Sequence, residues 1–334
     1  MAVLIVGGGL AGCSTAFELV SRGQNVVLVE SASTIGGKVR RYGCKAADRC
    51  LNCGLCLVGD LWNQVESHPQ IQLRTETELL DVMGAPGSFS AVVRHADSLD
   101  IFDGISHIVV ASGFVESSRA AVGAVEYSHQ APGIITGLEL EQLMSERRRA
   151  ALWDGEPPKS VAFLQCFGSR SLRDRAQYCS RVCCSYASRA ARVLKHYYPD
   201  TRVVFLHMEQ QQVEPGSYWQ SLEADGIEFV RSRPVTVRVG PPHTVLYERS
   251  VDSTIVEESF DMVVFSEGMY PNPDGERLAE VCRLSFSDEG FLKAVRDSSE
   301  TGVSVVGCAG GPKRIEEVVA EALQTARGIC GGVR

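Results

Sequence analysis

The sequence lacks the marks of a membrane, exported or nucleic-acid-binding protein. No stretch approaches the ~18 uncharged apolar residues that a membrane span requires, so none is expected. The opening Met1-Ala-Val-Leu-Ile-Val6 runs straight into glycines, without a cationic segment or a cleavage site. It reads as a buried strand rather than a signal peptide. Basic runs are absent and the formal net charge is -8, which argues against nucleic acid as a partner. Low-complexity stretches are missing, as is any internal repeat beyond two α/β halves. Only one G-x-G-x-x-G occurs, so a second ordinary pyrophosphate loop is excluded. Cysteine, by contrast, is plentiful, with twelve in 334 residues. In a chain without export signals these point to a reducing, cytoplasmic setting, where thiols serve as metal ligands or redox groups. Cys13, Cys282, Cys308 and Cys330 stand alone and are expected to be small buried hydrophobes.

The length suffices for two domains with proper cores, and 44% hydrophobic against 22% charged residues fits a globular chain. The expected fold class is α/β, with two Rossmann-like dinucleotide-binding domains. Ala2–Val6 is the first strand, and Gly7-Gly-Gly-Leu-Ala-Gly12 leads into a helix through Arg22. Gly7 permits the tight turn, Gly9 the approach of phosphate with Leu10 and Ala11 beside it, and Gly12 the close packing of helix on strand. A second strand, Asn25 to Glu30, ends in an acid placed to hold ribose hydroxyls. Then Ser31-Ala-Ser-Thr-Ile-Gly36-Gly37-Lys38 follows. Acid, spacer and Gly-Gly-basic resembles the second pyrophosphate-contacting segment of two-dinucleotide-domain flavoproteins of the thioredoxin-reductase type, which implies FAD. His107 to Gly113, with Ser112 and Gly113 at its end, resembles the strand that returns to the flavin there. Val303 to Pro312 is a strand and glycine loop carrying Gly307, Cys308 and Pro312. The helix from Arg314 to Ala326, with Ile315 in its first turn, would aim its amides at the flavin's pyrimidine edge. Cys308 stands where that superfamily usually places Asp.

Between Lys38 and Asp60 lies Cys44-x5-Cys50-x2-Cys53-x2-Cys56. Two-residue spacers let successive thiolates wrap one face of a cuboidal iron–sulfur cluster, and Cys44 is the obvious fourth ligand. Zinc and a redox dithiol at Cys53 and Cys56 remain alternative readings. Leu61–Glu66 reads as a short helix. Ile71 to Ser112 reads as a β-meander, and Leu138–Arg149 as a helix ending in the basic Arg147-Arg-Arg149. Gly155-Glu-Pro-Pro-Lys159 reads as a stiff linker. The expected first domain is 1–157 plus 270–334, with a cluster segment at 38–60, and the second is 158–269.

The second domain opens with the apolar run Ser160–Gln165. Cys166 follows, then Tyr178-Cys179-Ser-Arg-Val-Cys183-Cys184, then a helical segment from Ala187 to Tyr197. Strand Arg202–His207, helix Tyr218–Ala224 and strand Gly226–Val230 continue a βαβαβ pattern. A hairpin at Thr236–Val239 and Thr244–Glu248 and a buried strand from Asp261 complete the domain. Cysteines thus stand where a pyrophosphate loop belongs, and adjacent Cys183 and Cys184 suit a cuboidal cluster better than one zinc tetrahedron. Arg170 and Arg181 either offset a cluster's negative charge or sit in surface ion pairs.

Taken with the flavin signature, Gln165-Cys-Phe-Gly-Ser-Arg170, Tyr178 to Cys184 and Gly310-Gly-Pro-Lys313 resemble the heterodisulfide reductase A-subunit family over nearly the whole chain. The resemblance implies FAD and two 4Fe–4S clusters, one on Cys166, Cys179, Cys183 and Cys184 and one on Cys44, Cys50, Cys53 and Cys56. It implies an electron-transfer subunit that works with B- and C-type subunits and forms a homodimer. Further C-x2-C-x2-C-x3-C-P repeats are absent. The compact chain is therefore most similar to the A subunit of the sulfur-oxidising heterodisulfide-reductase-like complex, and next to that of the quinone-interacting oxidoreductase of sulfate reducers. An NAD(P)H-dependent disulfide reductase using Cys53 and Cys56, and a non-catalytic scaffold, are the competing readings.

Overall fold

The computed structural model describes residues 1–116, 131–147, 152–153, 155–172, 176–211, 216–295 and 298–331. The chain divides into two compact units: Met1–Arg40, Gly54–Val115 and Tyr270–Arg334 form the first, and Arg41–Cys53 and Glu116–Met269 the second.

In the first unit, strand β1 (Ala2–Val6), helix α1 (Leu10–Ser21), strand β2 (Asn25–Val29), helix α2 (Leu61–Ser67) and strand β3 (Ile71–Arg74) are followed by β4 (Thr77–Ala85), β5 (Ser88–His95) and β6 (Ser98–Val110). The sheet runs β3-β2-β1-β6-β5-β4, with Val303–Val305 also on β6. β1 pairs parallel to β2 and to the end of β6, at Val6↔Val29 and Val6↔Val110. Strands covered on both faces need no polar side, which is why β1 and β2 are near-continuous apolar runs. β6 does two jobs. Its exposed first half pairs antiparallel with β5 as the expected meander, and its buried end joins the parallel set. On one face α1 packs with the Ile315–Gly331 helix through Ala16, Leu19, Ala322 and Ala326. On the other, Leu278 and Ala279 of the Gly275–Cys282 helix meet Leu79 and Val93.

His107, in β6, is buried, and its Nε2 lies 2.9 Å from the Ser304 hydroxyl. Burial pushes its pKa down to about 4. The unfolded chain then takes up this proton near its usual pKa of about 6.5 while the folded chain refuses it, so stability is lost as pH falls from there toward 4. Between pH 7 and 5 we expect this group to cost about 2 kcal/mol. Urea unfolding at both pH values should show a smaller difference in His107→Gln than in the parent. Equal differences would mean the imidazole is not held neutral.

The second unit has its own seven-stranded sheet, in the order Ile255–Phe260, His243–Arg249, Ile227–Arg238, Arg202–His207, Ser160–Phe167, Met262–Glu267, Ile134–Thr136. Strand Arg202–His207 and the helix Tyr218–Ala224 have their expected bounds. The strands expected at Gly226–Val230 and Thr236–Val239 are one strand. Its first half runs parallel to Arg202–His207 and its second half antiparallel to His243–Arg249, with a register shift between Pro234 and Thr236. Proline has no N–H to give to a ladder, so the shift falls where pairing is weakest.

Two boundaries differ from those expected. The described residues between 116 and 157 belong to the second unit rather than the first, because Ile134–Thr136 pairs with Met262–Glu267. Helix α3 (Gly137–Glu146) follows directly, with a capping box between Thr136 and Glu139. Arg148 and Arg149 of the basic triplet lie outside the described residues. Arg41–Cys53 also clusters with the second unit. There the buried Lys45 ammonium donates to the buried Glu141 carboxylate and to Gly43 O (2.8 Å), and Gly43 N donates to Glu141 Oε2 (3.2 Å). Removing one member of such a pair strands a buried charge at a cost of ~3–5 kcal/mol, so this segment is firmly seated.

Candidate functional sites

In the first unit, the residues singled out from the glycine pattern meet at the C-terminal end of β1, where the strand order reverses between β2 and β6. Gly7 has φ +108, and a Cβ there would lie 2.5 Å from Ala111 O. Gly37 comes within contact of Gly9, since its own Cβ would lie 3.1 Å from Gly9 Cα. α1 begins at Leu10 with Gly9 as N-cap and no side-chain cap, so its first amides are left for an anion. Glu30 accepts from Gly8 N (2.7 Å) and Ala32 N (2.8 Å), with Ser31 Oγ 3.2 Å away. Its carboxylate is thereby fixed at the end of β2. Lys38 Nζ sits 5.1 Å from the centre of the Phe114 ring.

The remaining predicted positions reach the same end of the sheet. Ser112 Oγ is buried without a hydrogen-bond partner, while Ser112 O accepts from Asn272 Nδ2 at 2.8 Å. Gly113 has φ +72. Gly307 has φ +72, and a Cβ there would strike Ala11 Cβ at 2.5 Å. Cys308, half-buried, points its thiol at Lys313 O (3.6 Å), and burial pushes its pKa up to about 11. Pro312 and Ile315 are half-buried beyond it, the latter opening the last helix. One detail differs from expectation. Arg314 N donates to Glu317 Oε2 at 2.8 Å, so that amide is already capped within the helix's own first turn. An uncapped glycine loop, a fixed acid and an orphaned hydroxyl together fit a dinucleotide with a second organic ring system.

The second unit has the matching position, the C-terminal end of the Ser160–Phe167 strand between its neighbours Arg202–His207 and Met262–Glu267. Cys166 lies within that strand rather than after it, with φ +61. Helix α4 starts at Cys183 (Cys183–Tyr197), four residues earlier than the Ala187 expected, so Cys183 and Cys184 form its uncapped first turn. The one proton of the Cys183 thiol can be shared with either Cys166 or Cys184. This lowers the pKa of both acceptors, that of Cys184 to about 7, and raises that of Cys183. Burial raises Cys179, which also feels the charges of Cys166 and Cys184. Its sulfur accepts from Arg181 N at 3.3 Å.

Three non-glycine residues of this loop, Cys166, Arg170 and Arg181, are left-handed, a conformation that costs of order 1–3 kcal/mol each and gathers at functional sites. Arg170 makes the ion pair that was one of its two expected roles. Its Nη2 pairs with Glu209 at 2.9 Å, while Nη1 is buried with no hydrogen-bonded oxygen or nitrogen, on the side of the guanidinium's charge interaction with Cys166 and Cys179. Cys166, Cys183 and Cys184, two of them thiolate-prone and with Cys179 electrostatically coupled to them, are a donor set for something cationic and soft. Among the described residues no three or more His, Cys, Asp or Glu side chains converge as for a single metal ion. A cuboidal cluster instead takes one thiolate per iron at separated corners.

The N-terminal cysteines are divided. Cys44, Cys50 and Cys53 lie in the second unit and Cys56 in the first, on the short 3-10 helix Leu55–Val58. Cys44, Cys50 and Cys56 are exposed and Cys53 half-buried. The spacer Leu51 is buried and Asn52 is left-handed with φ +46. Of the solitary cysteines, Cys13 and Cys282 are buried as expected, whereas Cys308 and Cys330 are half-buried. Sequence reading misses Asn272, Lys45 with Glu141, and Arg189, whose partners are 96 or more residues away; no local pattern signals such pairs.

Residues 5–54 match the family of NAD(P)-binding Rossmann-like domains. The chain is 26% identical to the A subunit of the ferredoxin/F420H2-dependent CoB-CoM heterodisulfide reductase of Methanosarcina acetivorans, over 96% of this chain and 51% of that protein. It is 28% identical to the A subunit of the H2:CoB-CoM heterodisulfide,ferredoxin reductase of Methanothermobacter thermautotrophicus, over 96% and 62%. It thus spans between half and two thirds of the length of these relatives. In fold it is similar to the thioredoxin reductase of T. acidophilum, with a TM-score of 0.65, 15% identity, and 98% and 97% of the two chains covered. The bacillithiol disulfide reductase of Bacillus cereus follows with a TM-score of 0.57, 15% identity, and 99% and 98% covered.

Proposed function

We propose that this chain, related over nearly its whole length to the A subunits of heterodisulfide reductases, is a flavin- and iron–sulfur-bearing electron-transfer subunit of an oxidoreductase complex. The reading assigns FAD to the first unit, at Gly7, Gly9, Leu10, Ala11, Gly12, Glu30, Ser31, Gly36, Gly37, Lys38, Ser112, Gly113, Gly307, Cys308, Pro312 and Ile315. It assigns one 4Fe–4S cluster to Cys166, Cys179, Cys183 and Cys184, and a second to Cys44, Cys50, Cys53 and Cys56. The flavin supplies two-electron and one-electron chemistry, and iron–sulfur groups pass electrons singly. The chain's own residues position these groups and set their charge. Arg170, whose charge interacts with Cys166 and Cys179, would offset the cluster's negative charge and raise its potential.

The observation that carries the reading is the placing of Cys166, at the end of the Ser160–Phe167 strand, with Cys183 and Cys184, in the first turn of α4. These thiols stand at the strand end where a dinucleotide-binding fold otherwise grips phosphate. The sequence carries no G-x-G-x-x-G at that strand end, which speaks against a pyridine-nucleotide-dependent disulfide reductase. The partners of this reading are B- and C-type subunits and a second copy of the chain, acting in the cytoplasm in dissimilatory sulfur metabolism. Anaerobic purification or reconstitution should give one flavin and about eight irons per chain. A chain that binds flavin but stays free of iron after anaerobic reconstitution with iron and sulfide would overturn it.

A further inference from the structure

The turn Cys50-Leu51-Asn52-Cys53 is held from behind by a residue of the helix that presents Cys183 and Cys184. Arg189, five residues after Cys184 on α4, is buried within the second unit. Its Nε donates to Leu51 O at 2.6 Å and its Nη2 to Asn52 O at 3.3 Å. Nη1 donates to Ser185 O at 3.2 Å and also to Ser185 Oγ, both on the same helix. The guanidinium fork therefore spans from α4 to both carbonyls of the two-residue spacer. Leu51 is buried, and Asn52 is left-handed, a conformation that Asn tolerates better than most residues. Both carbonyls of the C-x2-C spacer are thus tied to one side chain from outside the turn.

We propose that Arg189 is a positioning residue for the Cys50–Cys53 turn. It sets the spacing of two ligands of the N-terminal cluster and fixes them to the helix carrying two ligands of the other. The geometry suits arginine rather than lysine, since two carbonyls are met by two nitrogens of one rigid plane. The proposal rests on the reading of Cys50 and Cys53 as ligands, so its test has one arm that needs no metal.

In the metal-free full-length chain, the exposed Arg49 offers trypsin a bond directly before the clamped turn. Cleavage after Arg49, followed by mass spectrometry against a reference site elsewhere in the chain, should be at least tenfold faster in Arg189→Met than in the parent. Arg189→Lys, with one donor group in place of the fork, should fall between them. In the metal arm, Cys166→Ser removes the other cluster, and iron in the remaining one is read by electron paramagnetic resonance after anaerobic reconstitution. Adding Arg189→Met should abolish or reshape that signal, and Arg189→Lys should restore part of it. Equal cleavage rates with an unaltered signal would overturn the proposal. Faster cleavage in a chain whose Cys50 and Cys53 never take up iron would instead sink the ligand assignment and leave the clamp standing. Loss of the reference site's protection in Arg189→Met would show that α4 itself has come apart, and Arg189→Lys then decides the matter.

Discussion

Replacing Cys166 with serine is expected to remove about half of the iron from the anaerobically reconstituted chain, as the loss of one of two four-iron clusters requires, and to leave the flavin bound. Serine is close in size, so the strand and its strained φ of +61 at this position should survive. What disappears is the sulfur. Iron held by thiolates does not accept a hydroxyl of far higher pKa as an equal substitute. Cys166 and Cys184 flank Cys183 as its two interacting thiols, so removing Cys166 takes away the one that the strand contributes. The dinucleotide site is built from residues of the other unit. Flavin content, read from its visible spectrum after acid release, should therefore remain at the parent's value. Cys282→Ser is the comparison. That thiol is buried in an apolar cluster, and burial pushes its pKa up to about 12. The change should cost a little stability and no iron. If Cys166→Ser keeps all of its iron, the thiol trio is not a ligand set.

How much of this can be read from the chain differs by site, for a physical reason. The first nucleotide loop is a local device. Strand, glycines, helix and terminal acid follow one another within Ala2 to Glu30, so periodicity and glycine spacing place them all. The second cysteine site is half local. Cys183 and Cys184 are plain in sequence, but helix α4 opens on them rather than at Ala187, because two cysteines have weak helical preference and only the tertiary setting makes that first turn worthwhile. The domain boundary is not local at all. Ile134–Thr136 is three residues long, and its pairing with Met262–Glu267, across more than a hundred residues, moves the whole segment into the second unit. Arg189 reads as one more polar residue of a helix until Leu51 and Asn52 are beside it. The long strand Ile227–Arg238 reads as two because its pattern changes where its partner changes, from Arg202–His207 to His243–Arg249.

Gly12→Ala is expected to be nearly as disruptive to the first unit as loss of Cys166 is to the second. Gly12 is in the first turn of α1 with ordinary helical backbone, so the residue is not there for conformational freedom. It is there for space: an added Cβ would lie 1.9 Å from Gly7 O and 3.2 Å from Ile5 Cγ2. The first of these is backbone, at the turn that carries the phosphate loop, and cannot swing aside. Either α1 lifts from β1, losing the packing of Cys13, Ala16 and Leu19, or the Gly7 turn moves and its amides leave their positions. Overpacking against fixed backbone puts the cost at the upper end of single substitutions, ~3–5 kcal/mol, and flavin affinity should fall at least a hundredfold. Gly23→Ala separates this effect from the general penalty on glycines. Gly23 has φ +80 but nothing within 4 Å of an added Cβ, so its cost is backbone strain alone, ~1–2 kcal/mol, with flavin retained. Urea unfolding and the flavin-to-protein ratio of the two variants, measured side by side, decide it. Should Gly12→Ala hold its flavin and lose no more stability than Gly23→Ala, α1 does not depend on close approach to the Gly7 turn, and the dinucleotide site must be argued from other residues.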